Sequence, residues 1–95
     1  MICIVQCHLE GGTDYKHIVR VRWRRTGSTA PYDRETSVEE VVGSLLAGEK
    51  VWSDPQRAFV PVASVHVGRA GKQAFLESRA DTSTTANNLL ALQRF

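Results

Sequence analysis

Ser37-Val38-Glu39-Glu40-Val41-Val42-Gly43-Ser44-Leu45-Leu46-Ala47-Gly48 is the stretch on which the fold turns. Ser37 followed three residues later by Glu40 makes a capping box. Val38, Val41, Val42, Leu45 and Leu46 recur at i, i+3, i+4, i+7 and i+8, one apolar stripe of an amphipathic helix. Gly48 supplies the C-terminal stop, and Glu39 and Glu40 in the first turn, with Lys50 just past the last, agree with the helix dipole. Burying those five side chains at about 1.5 to 3 kcal/mol each would anchor the helix to a sheet, so Leu45→Asp is expected to unfold the protein.

On either side of this helix the apolar period changes from helical to two. Residues 2–9 place Cys3, Val5, Cys7 and Leu9 on one face and Ile2, Ile4, Gln6 and His8 on the other, a first strand. Glu10-Gly11-Gly12-Thr13-Asp14 is a turn. Residues 17–25 alternate most strongly, with His17, Val19, Val21 and Trp23 against Ile18, Arg20, Arg22 and Arg24. Residues 26–36 are rich in turn formers and read as a loop into the helix.

After the helix, Lys50-Val51-Trp52 is a short strand and Ser53-Asp54-Pro55-Gln56 a turn. Residues 58–67 form a longer strand that Pro61 places at an edge or a bulge. Gly68-Arg69-Ala70-Gly71 turns the chain again, and residues 72–79 carry Phe75 and Leu76 in a last strand. The expected fold is α+β: an antiparallel sheet of about five strands in β-β-α-β-β-β order, one helix on one face, and a short C-terminal turn or helix through which Leu89, Leu90 and Leu92 dock on the domain.

The chain has 95 residues, 42% of them hydrophobic and 23% charged. This is the size and balance of a single domain, residues 1–95, with a modest core. The apolar start, Met1 to Val5, lacks a basic flank and is interrupted by Gln6, His8 and Glu10, unlike a signal sequence. No stretch approaches membrane-spanning length. The expected compartment is the cytosol, of a bacterium or of a cell infected by a phage. Cys3 and Cys7, four residues apart on a strand at roughly 3.3 Å per residue, stand too far apart for a disulfide and read as buried thiols.

The tail completes a pattern: Val41-Val42 and Gly48 of the helix, Phe75-Leu76 of the last strand, then Thr84-Thr85-Ala86-Asn87-Asn88-Leu89-Leu90. It resembles a small bacterial and phage family of domains of unknown function, DUF 3892, over about two thirds of the chain. Asn87 stands where that family commonly has Asp, and Gln93 where Pro often follows the last leucine. The resemblance implies a compact α+β domain and supplies no activity, cofactor or catalytic residues.

Local motifs supply no catalytic apparatus. No Walker loop, Gly-x-Gly-x-x-Gly, Gly-x-Ser-x-Gly or His-Glu-x-x-His occurs. Ser64 and His66 share a strand face, but their backbone separation, near 7 Å at about 3.3 Å per residue, argues against a hydrogen bond. Capping and turns account for the carboxylates, and His8, His17 and His66 lie on three different strands. The chain is therefore expected to be non-enzymatic, with no cofactor and no metal.

The most informative polar feature is basic: Lys16, Arg20, Arg22, Arg24 and Arg25 have no acid among them, and alternation sets Arg20, Arg22 and Arg24 on one face. Guanidiniums in a row beside an aromatic suit phosphates. The competing explanation is a solvated face, since the net charge is only +2 and Asp33, Glu35, Glu39 and Glu40 are near enough in sequence to neutralise the row. The expected function is a self-associating, homo-oligomeric binding module, a phage or bacterial accessory protein. It would engage a nucleotide, a nucleic acid or an acidic protein surface through Arg20, Arg22, Arg24, Arg25 and Trp23, with Asn87 and Asn88 as further contacts. The alternative is an adaptor or inhibitor that docks through the apolar C-terminal tail.

Overall fold

The computed structural model describes residues 1–25, 27–54, 63–79, 89 and 92–95. The first strand, β1 (Ile2–Leu9), leads through a 3-10 turn at Tyr15–His17 into β2 (Ile18–Arg25). A short β3 (Arg34–Ser37) runs directly into α1 (Val38–Leu46). The remaining strands are β4 (Val51–Ser53), β5 (Ala63–Ala70), β6 (Gln73–Arg79) and β7 (Gln93–Arg94). They form one sheet in the order β3-β2-β1-β4-β5-β6, with β7 added on β1.

One helix on a multi-stranded sheet agrees with the expected α+β class. The sheet itself is mixed and larger than expected: seven strands among the described residues, with β4 and β7 both parallel to β1. The cause is the path of the chain. β3 pairs antiparallel with β2, and α1 then carries the chain back across the sheet so that β4 enters alongside β1. β3 begins inside the stretch, residues 26–36, expected to be a loop and runs on to Ser37, because Arg34-Glu35-Thr36-Ser37 is a polar edge strand with one buried side chain, Thr36.

The helix begins where the capping pattern places it. The Ser37 hydroxyl accepts the Glu40 backbone N–H at 3.4 Å, and Gly48, at φ +94°, takes the left-handed turn that ends it. Val38, Val41 and Val42 are buried and Leu45 packs against the core, but Leu46 is 67% exposed. The expected stripe of five aliphatics is one residue too wide, because the helix ends with Leu46 on its solvent side.

Two bulges decide which residues meet the helix. Ile4 pairs with Trp23 and Gln6 with Arg22, which leaves Val5 as the extra residue on β1. His8 pairs with Arg20 and Leu9 with Ile18, leaving Val19 extra on β2. Each bulge switches the face of the residues beyond it, so the core takes Ile2, Ile4 and Cys7 from β1 and Ile18, Val21 and Trp23 from β2. Strict alternation, which grouped Cys3 with Cys7 and set Ile2, Ile4 and Ile18 apart, is overturned by these two insertions. Arg20, Arg22 and Arg24 remain together on the opposite face, where their partners are His8, Gln6 and Cys3.

The hairpin from β5 to β6 turns on Gly71 and Lys72, with Ala70 paired to Gln73 and Gly71 at φ +61°. Gly68, Arg69 and Ala70, expected in the turn, are strand residues instead. Phe75 faces Gly68 across the pair while Leu76 enters the core. The expected turn at Pro55 and bulge at Pro61 lie outside the described residues. Leu89 and Leu92 are buried, and β7 follows them onto β1. Among the described residues no helix is long and apolar enough to cross a membrane.

Candidate functional site

β2 and β3 position the arginine row and its counter-charge together. Because Arg22 sits opposite Glu35 in register, that one carboxylate reaches two guanidiniums, accepting from Arg22 Nε at 3.1 Å and from Arg20 Nε at 3.1 Å. Hydrogen bonds from Arg22 and then Arg20 hold the Glu35 carboxyl below the usual carboxylate range. Arg22 also donates to Gln6 at 3.2 Å and lies between two rings, 4.7 Å from the centroid of Tyr32 and 4.0 Å from that of Phe95. These are cation–π distances. Gln6 donates to Gln93 at 3.1 Å, so Arg22 and Gln6 tie β2, β1 and β7 together on this face. Arg20 and Arg22 are thus engaged within the chain.

Arg25 binds Glu49 at 3.2 Å and lies 5.3 Å from the Trp23 ring. Its backbone N–H donates to Asp33 at 2.8 Å, and the Ser28 hydroxyl donates to the same carboxylate at 2.8 Å. Those two bonds, in that order, hold Asp33 below its ordinary range and brace the loop after β2. Trp23 is a core residue, 5% exposed, whose Nε1–H donates to buried Thr36 at 3.0 Å.

Arg24 differs from its neighbours in the row. It borders a cavity of about 440 Å³ at the end of the sheet where β1 begins and β2 ends, lined by Met1, Cys3, Arg24, Arg25, Gly27, Ser28 and Trp52. Pairing explains the assembly: Cys3 is opposite Arg24 on one side and in register with Trp52 on the other, so all three side chains leave the sheet on the same face. Burial pushes the Cys3 thiol up, with Asp54 adding to the rise and the Arg24 guanidinium, which hydrogen-bonds the sulfur, opposing it. Trp52 Nε1 is buried without a hydrogen-bond partner among the described residues. An unmade buried N–H costs about 1 to 3 kcal/mol.

Trp52 also borders a second cavity, of about 390 Å³, with Leu45, Glu49, Lys50, Val51, Ser64, Val65 and His66. Here Ser64 Oγ and His66 Nε2 are 3.0 Å apart. The backbone-spacing argument against this hydrogen bond fails because side chains two apart on one strand face lean toward each other, closing the gap their Cα atoms leave.

The remaining sequence candidates disperse. Cys7 is buried, donates to the Leu89 carbonyl at 3.4 Å and accepts from Arg94 at 3.2 Å, and burial pushes its thiol up. Its face is opposite that of Cys3, and both cysteines are free. Asn87, Asn88 and Leu90 lie outside the described residues. Among the described residues no group of three or more His, Cys, Asp or Glu is placed to hold a metal ion.

Sequence reasoning misses Trp52, Cys3, Ser28 and Gly27 as neighbours of Arg24. Trp52 sits between Val51 and Ser53, both buried, so nothing local marks it as an outer-face residue; only pairing with Cys3 does. The resemblance to the bacterial and phage family rests on the residues quoted for it: no family model, no curated protein and no solved structure matches the chain.

Proposed function

We propose that this domain is a non-enzymatic binding module that takes a small anionic ligand with a planar ring, a nucleotide by its chemistry, in the cavity between Arg24 and Trp52. The observation that carries the reading is a cavity whose wall presents both the Arg24 and the Trp52 side chains. A guanidinium meets phosphate with paired N–H donors, and an indole face stacks on a base. Of the acids near the row, Glu35 is bound to Arg20 and Arg22, Glu49 to Arg25, and Asp33 to the Arg25 backbone N–H and the Ser28 hydroxyl.

Titration calorimetry with adenosine and guanosine mononucleotides, alongside Trp fluorescence, tests this directly. Binding that weakens with salt and is lost in Arg24→Ala supports it. Neither heat nor fluorescence change at millimolar nucleotide would sink it. Self-association belongs to the same proposal: β3 forms an edge of the sheet and is the strand through which a second copy would pair. Light scattering that shows a monomer at all concentrations would remove that part. The adaptor reading is weakened, since Leu89 and Leu92 are occupied inside their own domain.

A further inference from the structure

Trp52 is the common wall of two cavities, and both carry cationic or polar side chains. We infer that the two form one track for single-stranded nucleic acid, with a base stacked on the Trp52 indole and backbone phosphates on either side of it, at Arg24 and at Lys50. This rests on the nucleotide reading above and extends it from one unit to several.

The placement follows from strand geometry. Ile2 N–H donates to the Lys50 carbonyl at 3.1 Å, which continues the β1–β4 pairing one residue past the strand. Lys50 and Trp52 therefore leave the chain on the same face, about 6.6 Å apart at roughly 3.3 Å per residue. Trp52 is paired with Ser64, and His66 follows Ser64 two residues on. Arg24 stands two strands across from Trp52 and Lys50 two residues along the chain from it, with Ser64 and His66 beside them on β5. Of the acids beside the second cavity, Glu49 is held by Arg25 at 3.2 Å and by the Met1 amino group at 3.9 Å, and Glu77 is paired with His66 across β5 and β6. Near the first cavity, Asp54 acts on the Cys3 thiol electrostatically, and Asp33 is held by the Arg25 backbone N–H and the Ser28 hydroxyl.

An aromatic platform flanked by cations along a groove is how proteins hold single strands without reading sequence. A duplex fits poorly: its bases are already stacked on one another, and a net charge of +2 is small for a protein that covers duplex phosphates.

The experiment is fluorescence anisotropy with labelled oligo-dT of about four to about 16 nucleotides, set beside mononucleotide calorimetry. The expected result is affinity that rises with length and then levels off, and a preference for oligo-dT over a duplex of equal length. Lys50→Ala with His66→Ala should weaken the oligonucleotide about tenfold while leaving mononucleotide affinity unchanged. Trp52→Phe should retain most oligonucleotide affinity through stacking, which Trp52→Leu loses by at least about fivefold; circular dichroism of each variant checks that it is folded. If mononucleotides bind and length adds nothing, or the Lys50 and His66 changes affect both ligands equally, the track is refuted and the nucleotide reading stands. If neither ligand binds, both fail together.

Discussion

Replacing Gly68 with Ala should destabilise the protein, although the same change at Gly43 should stabilise it. A Cβ built on Gly68 would lie 2.2 Å from Phe75 Cε2 and 2.7 Å from Cζ, deep inside contact distance. Phe75 is 6% exposed and cross-strand from Gly68, so its ring must be displaced from a packed position. Overpacking of this kind costs about 1 to 3 kcal/mol. Gly43 lies in the helix on an exposed position with nothing within 4 Å of a new Cβ, and Gly to Ala there gains about 0.5 to 1 kcal/mol. For a domain of 95 residues, about 2 kcal/mol lowers Tm by roughly 8 to 16 °C. Thermal unfolding by circular dichroism measures both variants, and Phe75→Leu in the Gly68→Ala background should recover part of the loss through a coupling of at least about 1 kcal/mol. A Gly68→Ala protein as stable as the parent, or no coupling with Phe75, would refute the packing of these two strands.

Three other perturbations probe the core, the helix and the charged face. Thr36→Val removes the acceptor of the Trp23 Nε1–H without changing shape and should cost about 1 to 3 kcal/mol in urea unfolding, because both residues are buried. Leu46→Lys should change stability by less than about 0.5 kcal/mol, whereas Leu45→Asp, at the neighbouring position that packs on the core, should abolish the cooperative transition. The Glu35 carboxyl is held below its ordinary value by Arg22 and Arg20, so its contribution is present above the unfolded-state value and disappears as pH falls through the lower folded one. A urea-midpoint series below about pH 5 should therefore show a shallower acid loss in Glu35→Gln than in the parent, and identical slopes would count against the shared pairing.

The helix was legible because its information is local: Ser37, Glu40 and Gly48 mark its ends whatever the rest of the chain does. The arginine face was legible for a similar reason, since Arg20, Arg22 and Arg24 all follow Val19, the extra residue of β2, and lie within one uninterrupted alternation of that strand. What could not be read locally is pairing. Val5 and Val19 look like any strand residues, and their status as extra residues exists only in the register between β1 and β2. Nor does Arg34-Glu35-Thr36-Ser37 carry strand periodicity; β2 supplies its hydrogen bonds. The candidate site divides the same way. Its arginines were visible in sequence, while its cavity required β4 to bring Trp52 beside Cys3.

One edge of β1 is divided between two distant segments: Val51–Ser53 holds Ile2, Cys3 and Ile4, and Gln93–Arg94 holds Gln6 and Cys7. During synthesis, then, the middle of the sheet stays half zipped until the residues of β7 have been made. Contacts of such long sequence separation slow folding and leave strand edges exposed meanwhile. A nascent chain stalled before β7 would present the backbone of Gln6 and Cys7 as a docking edge for another strand, which is the form in which this protein would be expected to misassemble or to need a chaperone.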